Sequence, residues 1–394
     1  MILEKTYQQV IASIEETLEM RADILKAVGL EEGVLGLSLF NYYQYLSTND
    51  QTYLQHVSSY LDQSFSCLSE GGSIQNAITH LHIIEIAKYL CFLHREQIIE
   101  TATVKEYLEI LNPYINVYLQ KKIQEKDLDA ISGIIAVGHY YLDASLLTNH
   151  HKTLEEIITI IETLSISSTN KTYWKFSFRD KKNLTIEPGF FHGIAGVLFF
   201  LSLVYEKGIK REVCNNLIVQ GIRFLKEHQK NCGVNLFPFE LQSGKQLSYQ
   251  SLVYGDVGIG YAIYRIGNIL NHQEYVNYGT YILENTARFR DPKNTHIKDA
   301  ELIYGASGLF ALYSDLASET NNDYFKSASQ YWLDKIITHS DNNTPWAGYD
   351  TYINGFDEDI QLSFSHGICG IGITLLSHEM KLAHRKYLTF FNYK

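Results

Sequence analysis

"FFHGIAGVLFFL", residues 190–201, sets a His-Gly-Ile-Ala-Gly turn in front of an unbroken apolar run. "SFSHGICGIGITLL", residues 363–376, says almost the same thing near the C-terminus. A histidine written twice at the mouth of an apolar helix is either part of a repeated packing unit or a chemical group. The rest of the chain separates the two readings. Aligned on the first glycine, related blocks stand at Gly33 ("GVLG"), Gly133 ("GIIA"), Gly193 ("GIAG"), Gly255 ("GDVG"), Gly305 ("GASG") and Gly367 ("GICG"). Successive steps are 100, 60, 62, 50 and 62 residues, so one degenerate copy is expected in the first gap, and "GGSIQNAITHLHIIEIAKYLCF" (71–92) fills it. Fixed-period self-similarity of this kind marks a repeat architecture.

Each block opens a stretch that is apolar nearly all round, as in "VLFFLSLVY" or "IGYAIYRIG", and a helix of that composition is buried on most sides. Between the blocks lie amphipathic stretches. "REVCNNLIVQGIRFLKEHQK" (211–230) aligns Val213, Leu217, Ile218, Ile222 and Leu225 on one stripe. The unit is therefore one outer amphipathic helix and one inner apolar helix. Seven units whose inner helices all need burial close most economically into a ring, since an open solenoid needs polar caps at both ends. The expectation is an all-α protein: an α/α toroid of seven inner and seven outer helices, forming a single domain over 1–394. Longer aromatic segments at 167–189, 232–255 and 341–367 predict short hairpin and loop excursions at one rim, with one hairpin around Ser243-Gly244-Lys245. The polar residue before each glycine faces a central cleft, where helix N-termini offer free N–H groups.

Composition narrows the partners. A formal net charge of −11 argues against nucleic acid, which calls for a basic face. The five cysteines, at 67, 91, 214, 232 and 369, show no CxxC spacing. They read as reduced thiols of a cytoplasmic protein. The longest uncharged stretch, 189–205, is interrupted by His192 and glycines, so no integral membrane segment is expected.

With these blocks in view, the chain resembles the lanthionine synthetase C (LanC) family, the cyclases of lanthipeptide biosynthesis. "DAISG", "HGIAG" and "YGDVG" match three of the family's signatures and give Asp129, His192 and Tyr254. The resemblance spans essentially the whole length and implies an α/α toroid. It also implies addition of a peptide Cys thiol to dehydroalanine or dehydrobutyrine, a Michael addition forming a thioether ring. In that reaction His192 is the general base or acid, Asp129 its orienter, and Tyr254 an enolate donor or proton source. Tyr304, His366 and Asp256 are further candidates for substrate binding.

One departure stands out. Zinc-using members hold the metal with Cys-Tyr-Gly in the fifth block and Cys-His-Gly in the sixth. Here "LVYG" and "LIYG" put Val253, Ile303 and Tyr304 at the ligand positions. Hydrocarbon side chains cannot coordinate zinc and a neutral Tyr is a poor ligand, so no metal or other cofactor is expected. Kinase-cyclase lanthipeptide synthetases are similar in lacking these ligands. A relocated site from His192, His366 and Cys369 is the one alternative. The expected partner is a dehydrated precursor peptide made by a separate dehydratase. Two function classes follow: a zinc-independent cyclase, or an inactive LanC-like protein that binds a modified peptide or scaffolds the dehydratase. A toroid glycoside hydrolase would want two matched carboxylates, and only Asp129 and Asp256 are block-positioned for that. Of the two "HGI" histidines, only His192 falls at a family position linked to catalysis.

Overall fold

In the computed structural model the described residues are 6–69, 77–177, 184–230, 233–244, 249–352 and 358–394. They form α1 (Tyr7–Arg21), α2 (Val34–Thr48), α3 (Gln51–Ser69), α4 (Ala77–Arg95), α5 (Thr101–Glu125), α6 (Ile134–Ala144) and α7 (His151–Thr163). A two-stranded ribbon follows, β1 (Ile166–Ser168) antiparallel to β2 (Lys171–Tyr173). Then come α8 (Ile194–Glu206), α9 (Arg211–His228), α10 (Asp256–Ile269), α11 (Gln273–Ala287) and the single turn α12 (Pro292–Thr295). The chain finishes with α13 (Ala306–Thr320), α14 (Asp323–Thr338), α15 (Ile368–Glu379) and the short α16 (Arg385–Leu388).

Two compact units result: Met1–Ile86 with Ile297–Lys394, and Ala87–His296. In the first, α2 packs on α3, α13 on α14, and α15 on both α1 and α2, so the two ends of the sequence share one core. In the second, α6 packs on α7, α8 on α9 and α10 on α11, and α8 also packs on α10. The pairing is the one the repeat predicts, an apolar helix followed by its amphipathic partner. All eleven residues of α6 are buried. On α9 the buried stripe is Cys214, Leu217, Ile218, Gly221, Ile222, Phe224 and Leu225. It is rotated slightly from the expected one, because the small Cys214 and Gly221 admit the neighbouring helix and Val213 stays half-buried. Gly221 is held open by Leu198 of α8, which stands where a Cβ would go.

The degenerate repeat at 71–92 does continue as a helix, α4, although its glycines lie outside the described residues. The hairpin expected around Ser243-Gly244-Lys245 falls partly outside them as well, at 245–248. The described stretch before it, 233–244, is made of turns and bends with a single bridge residue at Asn235, and the observed ribbon lies in the preceding long segment, with Tyr173 stacked on Phe224 of α9. Cys91, Cys214 and Cys369 are buried free thiols. No helix among the described residues is long and apolar enough to cross a membrane.

Why each block opens with glycine is visible in the backbone. The first N–H of the helix reaches back seven residues to a loop carbonyl: Val34 to Ala27 (3.0 Å), Ile134 to Asp127 (2.8 Å), Ile194 to Glu187 (2.8 Å) and Ala306 to Asp299 (3.0 Å). These bonds satisfy a donor that helix geometry leaves open, and they fold the preceding loop tightly over the glycine. Gly193 is extended (φ −152°), so its conformation is open to any residue. A Cβ there would stand 2.5 Å from Glu187 O and from Gly189 N. Gly255 is the exception in conformation, with φ +80°, a region that favours glycine. The prediction is local. Gly193→Ala should lower stability by about 2 kcal/mol or more, the scale of overpacking against rigid backbone. Gly189→Ala, where nothing lies within 4 Å of the new Cβ, should leave the melting temperature nearly unchanged.

Candidate active site

Two positions of the blocks carry the site. Four residues before the first glycine, in three blocks, a side chain turns back to receive N–H groups of its own loop. Asp129 Oδ1 accepts from Ile131 N (2.9 Å), Ser132 N (2.7 Å) and Ser132 Oγ (3.1 Å). Ser251 Oγ accepts from Val253 N (3.2 Å) and Tyr254 N (3.0 Å), and Ser363 Oγ from His366 N (3.1 Å). One residue before the glycine, the side chain stands at the helix mouth: His192, Tyr254, Tyr304 and His366.

In the unit 87–296 the loop of Asp129 is bonded to the loop of His192 through Ala130 N and Phe191 O (2.9 Å). That contact brings Asp129 Oδ2 to 2.5 Å from His192 Nδ1. Asp129 is buried. Burial alone would raise its carboxyl, but the His192 ring together with the N–H groups of Ser132 and Ile131 outweighs it, and the group is held below the usual carboxylate range. An ionised Asp129 fixes the proton of a neutral His192 on Nδ1, leaving Nε2 as the nitrogen able to take a proton from a ligand. His192 lines an open cleft, with about 420 Å³ of empty space (solvent included), together with Glu187, Phe237, Phe239, Val253, Tyr254 and Asp256.

Tyr254 reaches that cleft from the mouth of α10, its ring against Phe239 (5.6 Å between centroids) and Tyr249 (5.8 Å). Asp256 is the first residue of α10 and fully buried. It accepts from Leu236 N and, at 3.3 Å, from Phe237 N, pinning the 235–239 loop that forms the aromatic wall. Burial pushes its carboxyl up to about 7 despite those two donors. The sequence pointed to His192, Asp129, Tyr254 and Asp256, and all four belong to this one site. It missed the wall from Phe237 to Phe239 and the buried Glu187, whose neighbouring Thr185 Oγ1 donates to it at 2.8 Å. A loop around a proline carried no motif to mark it.

In the other unit Tyr304 and His366 come together, their rings stacked with centroids 5.6 Å apart and 13° between planes. His366 Nδ1 lies 2.8 Å from Glu301 Oε2. Cys369 points away from any ligand role: its Sγ donates to Gly36 O at 3.1 Å in the packing of α15 on α2, and burial pushes its thiol up. The positions that hold zinc in zinc-using relatives carry buried hydrocarbon at Val253 and Ile303 and, at Tyr304, a ring stacked on imidazole. Among the described residues no group of three or more His, Cys, Asp or Glu is placed to hold a metal ion. The side chains present do not fit zinc.

Asp256 makes a pH prediction. Its folded carboxyl titrates about 7 against about 3.9 in an unfolded chain, so ionising it costs the fold up to about 4 kcal/mol. The cost appears as pH rises above the unfolded value and is complete above the folded one. Stability should therefore fall between about pH 4 and about pH 7. Asp256→Asn should flatten part of that fall in melting curves taken across the range.

Comparison with known proteins agrees with this architecture. The family model for lanthionine synthetase C-like protein matches residues 26–297 and 251–392. A solved structure titled nisin cyclase superposes with a TM-score of 0.71 at 21% identity, covering 98% of this chain and 97% of that one. No curated protein sequence matches the chain. The fold is thus the all-α, α/α toroid class.

Proposed function

The chain belongs to the lanthionine synthetase C-like family, and on that premise we propose that it is a peptide cyclase working without zinc. Its substrate is a dehydrated, Cys-containing precursor peptide supplied by a separate dehydratase, and its compartment is the cytoplasm. The observation that carries the reading is the Asp129–His192 pair at the rim of the aromatic cleft that Tyr254 also lines. Family members bring such a peptide's thiol to a dehydroamino acid, and the groups gathered here suit the steps of that addition.

The energetic question is whether the thiolate can form without a metal. A thiol with a pKa near 8.5 is roughly 3% ionised at pH 7, which costs about 2 kcal/mol, or a factor of about thirty. A positioned general base contributes about 10²–10⁴-fold, so His192 covers the deficit. His192 Nε2 takes the S–H proton, and Asp129 carries the resulting imidazolium as an ion pair. The sulfur then attacks Cβ of the unsaturated residue, and the displaced π electrons move onto the amide as an enolate. Tyr254 supplies a hydrogen-bond donor for that oxygen, the kind of preorganised stabilisation that lowers such barriers most. The adduct is complete once Cα receives a proton. The aromatic wall of Phe237, Phe239 and Tyr254 suits apolar residues flanking the reacting pair and keeps water from the enolate.

His192→Asn should slow ring closure at least about 100-fold, the scale of a lost general base, with peptide affinity little changed. A peptide bearing a selenol, already ionised at neutral pH, should recover much of that loss. Elemental analysis of the purified protein should find no stoichiometric zinc, and chelators should change neither rate nor melting temperature. About one zinc per chain would overturn the metal-free part of the proposal. Equal cyclisation by wild type, His192→Asn and buffer alone, with peptide still bound, would instead assign a binding or scaffolding role.

A further inference from the structure

One outer helix carries an apolar row on the side away from the core. On its inner side α5 buries Val104, Leu108, Leu111, Ile115, Tyr118 and Leu119. That side is also tied down: Tyr140 OH donates to Asn112 Oδ1 (2.6 Å), Tyr118 OH donates to Ser132 O (2.6 Å), and Lys122 Nζ pairs with Asp127 Oδ2 (2.7 Å). The opposite side is thereby held outward, yet it presents Ile110 (58% exposed), Tyr114 (37%) and Val117 (62%), with Pro113 exposed among them. Spacings of four and three put these side chains on one stripe. Of the nine large apolar side chains that stand exposed among the described residues, they are three. α9, also an outer helix, exposes only Arg211, Glu212, Asn215, Asn216, Arg223 and Glu227. Single surface hydrophobics need no explanation; a row of them does.

The polar residues that continue the stripe decide what covers it. Glu106 stands four residues before Ile110, and Lys121 stands four after Val117. Both are exposed, and neither makes an ion pair or hydrogen bond among the described residues. The order along the helix is anion, Ile, Pro-Tyr, Val, cation, and its midpoint falls between Pro113 and Tyr114. Laid antiparallel on itself about that midpoint, the helix sets Ile110 against Val117 of a second copy, Tyr114 against Pro113, and Glu106 against Lys121. Every one of these contacts occurs twice. A parallel pair would set Glu106 on Glu106 and Lys121 on Lys121, like charges that oppose association. A two-fold contact requires self-complementarity of this kind; a foreign partner does not.

We infer that the outer face of α5 is a contact between two copies of this chain, which pair antiparallel through Ile110, Tyr114 and Val117. Glu106 and Lys121 of opposite copies fix the register. α5 has 25 residues, roughly 37 Å of helix. One helix pair of that length covers an area at the low end of specific interfaces, about 1,200 Å² in total. Association is therefore expected at roughly micromolar concentration. The inference does not depend on the cyclase reading.

Sedimentation of the full chain tests it. Between about 1 and about 200 µM the mean mass should rise from 45.2 kDa toward twice that value. Ile110→Asp and Val117→Asp should each hold the protein at the monomer mass over that range. Their melting temperatures should stay unchanged, because both side chains are already exposed within the chain. Glu106→Lys and Lys121→Glu should each weaken self-association at least about tenfold by setting like charges opposite one another. Mixing these two single variants should restore the dimer, since opposite charges then meet at both ends of the helix pair. The double variant should pair as the wild type does. Monomer at every concentration would overturn the inference, and so would a dimer indifferent to Ile110→Asp. A mixture of the two charge variants that stays monomeric would overturn the antiparallel register.

Discussion

The structure depends on one backbone contact. At the mouths of α2, α6, α8 and α13 the first N–H bonds a carbonyl seven residues back, as Ile194 bonds Glu187, and the loop between them must pass over a residue without a side chain. Glycine is required there by proximity: a Cβ on Gly193 would meet two backbone atoms at 2.5 Å. Everything chemically interesting follows from that wrap. It fixes the residue four before the glycine as a cap for its own loop and presents the residue one before it at the helix mouth. The second glycine of a block then admits the neighbour, as Gly196 does for Ala130 and Gly370 for Leu302. Adjacent loops come close enough to join an acid from one block to a histidine of the next.

From that common geometry, two different electrostatic settings arise. The His192 ring and the N–H groups of Ser132 and Ile131 hold the Asp129 carboxyl below its usual range, whereas burial raises Glu301 well above it despite a backbone N–H from Tyr304. Environments that push paired carboxyls apart are how one fold arranges an acid and a base at the same pH. Asp256 and Asp299 show the same pressure of burial, each pushed up to about 7, yet both spend their oxygens on backbone N–H groups and hold loops in place.

On the proposed zinc-free cyclase reading, the absence of nitrogen and sulfur donors at 253, 303 and 304 changes the demands on the remaining groups. A thiol with a pKa near 8.5 needs only a modest base to reach a useful thiolate fraction, so an imidazole oriented by a buried, well hydrogen-bonded carboxylate is adequate in strength. On that reading the harder demand is protonation of carbon without a metal to stabilise the oxyanion, and the Tyr254 hydroxyl at the cleft is the group set for the oxygen.

Much of this was legible in the sequence. The glycine blocks, the all-round apolar runs and the intervening stripe of α9 name an alternating helix pair, because burial on every side and burial on one side leave different patterns. The missing zinc donors were also plain, since Val253 and Ile303 have no lone pair to offer. His192, Asp129, Tyr254 and Asp256 stood at block positions and met at one cleft. Glu301 did not register, although "ELIYG" followed by "SHG" repeats the spacing of "DAISG" followed by "FHG". Its significance lies in which loop neighbours which. The sequence by itself determined the repeat, the helices and the residue types at each mouth, all properties of local pattern. Only tertiary structure decided which acid meets which histidine and which carboxyls burial raises, because those depend on solvent exclusion and on hydrogen bonds between segments some sixty residues apart.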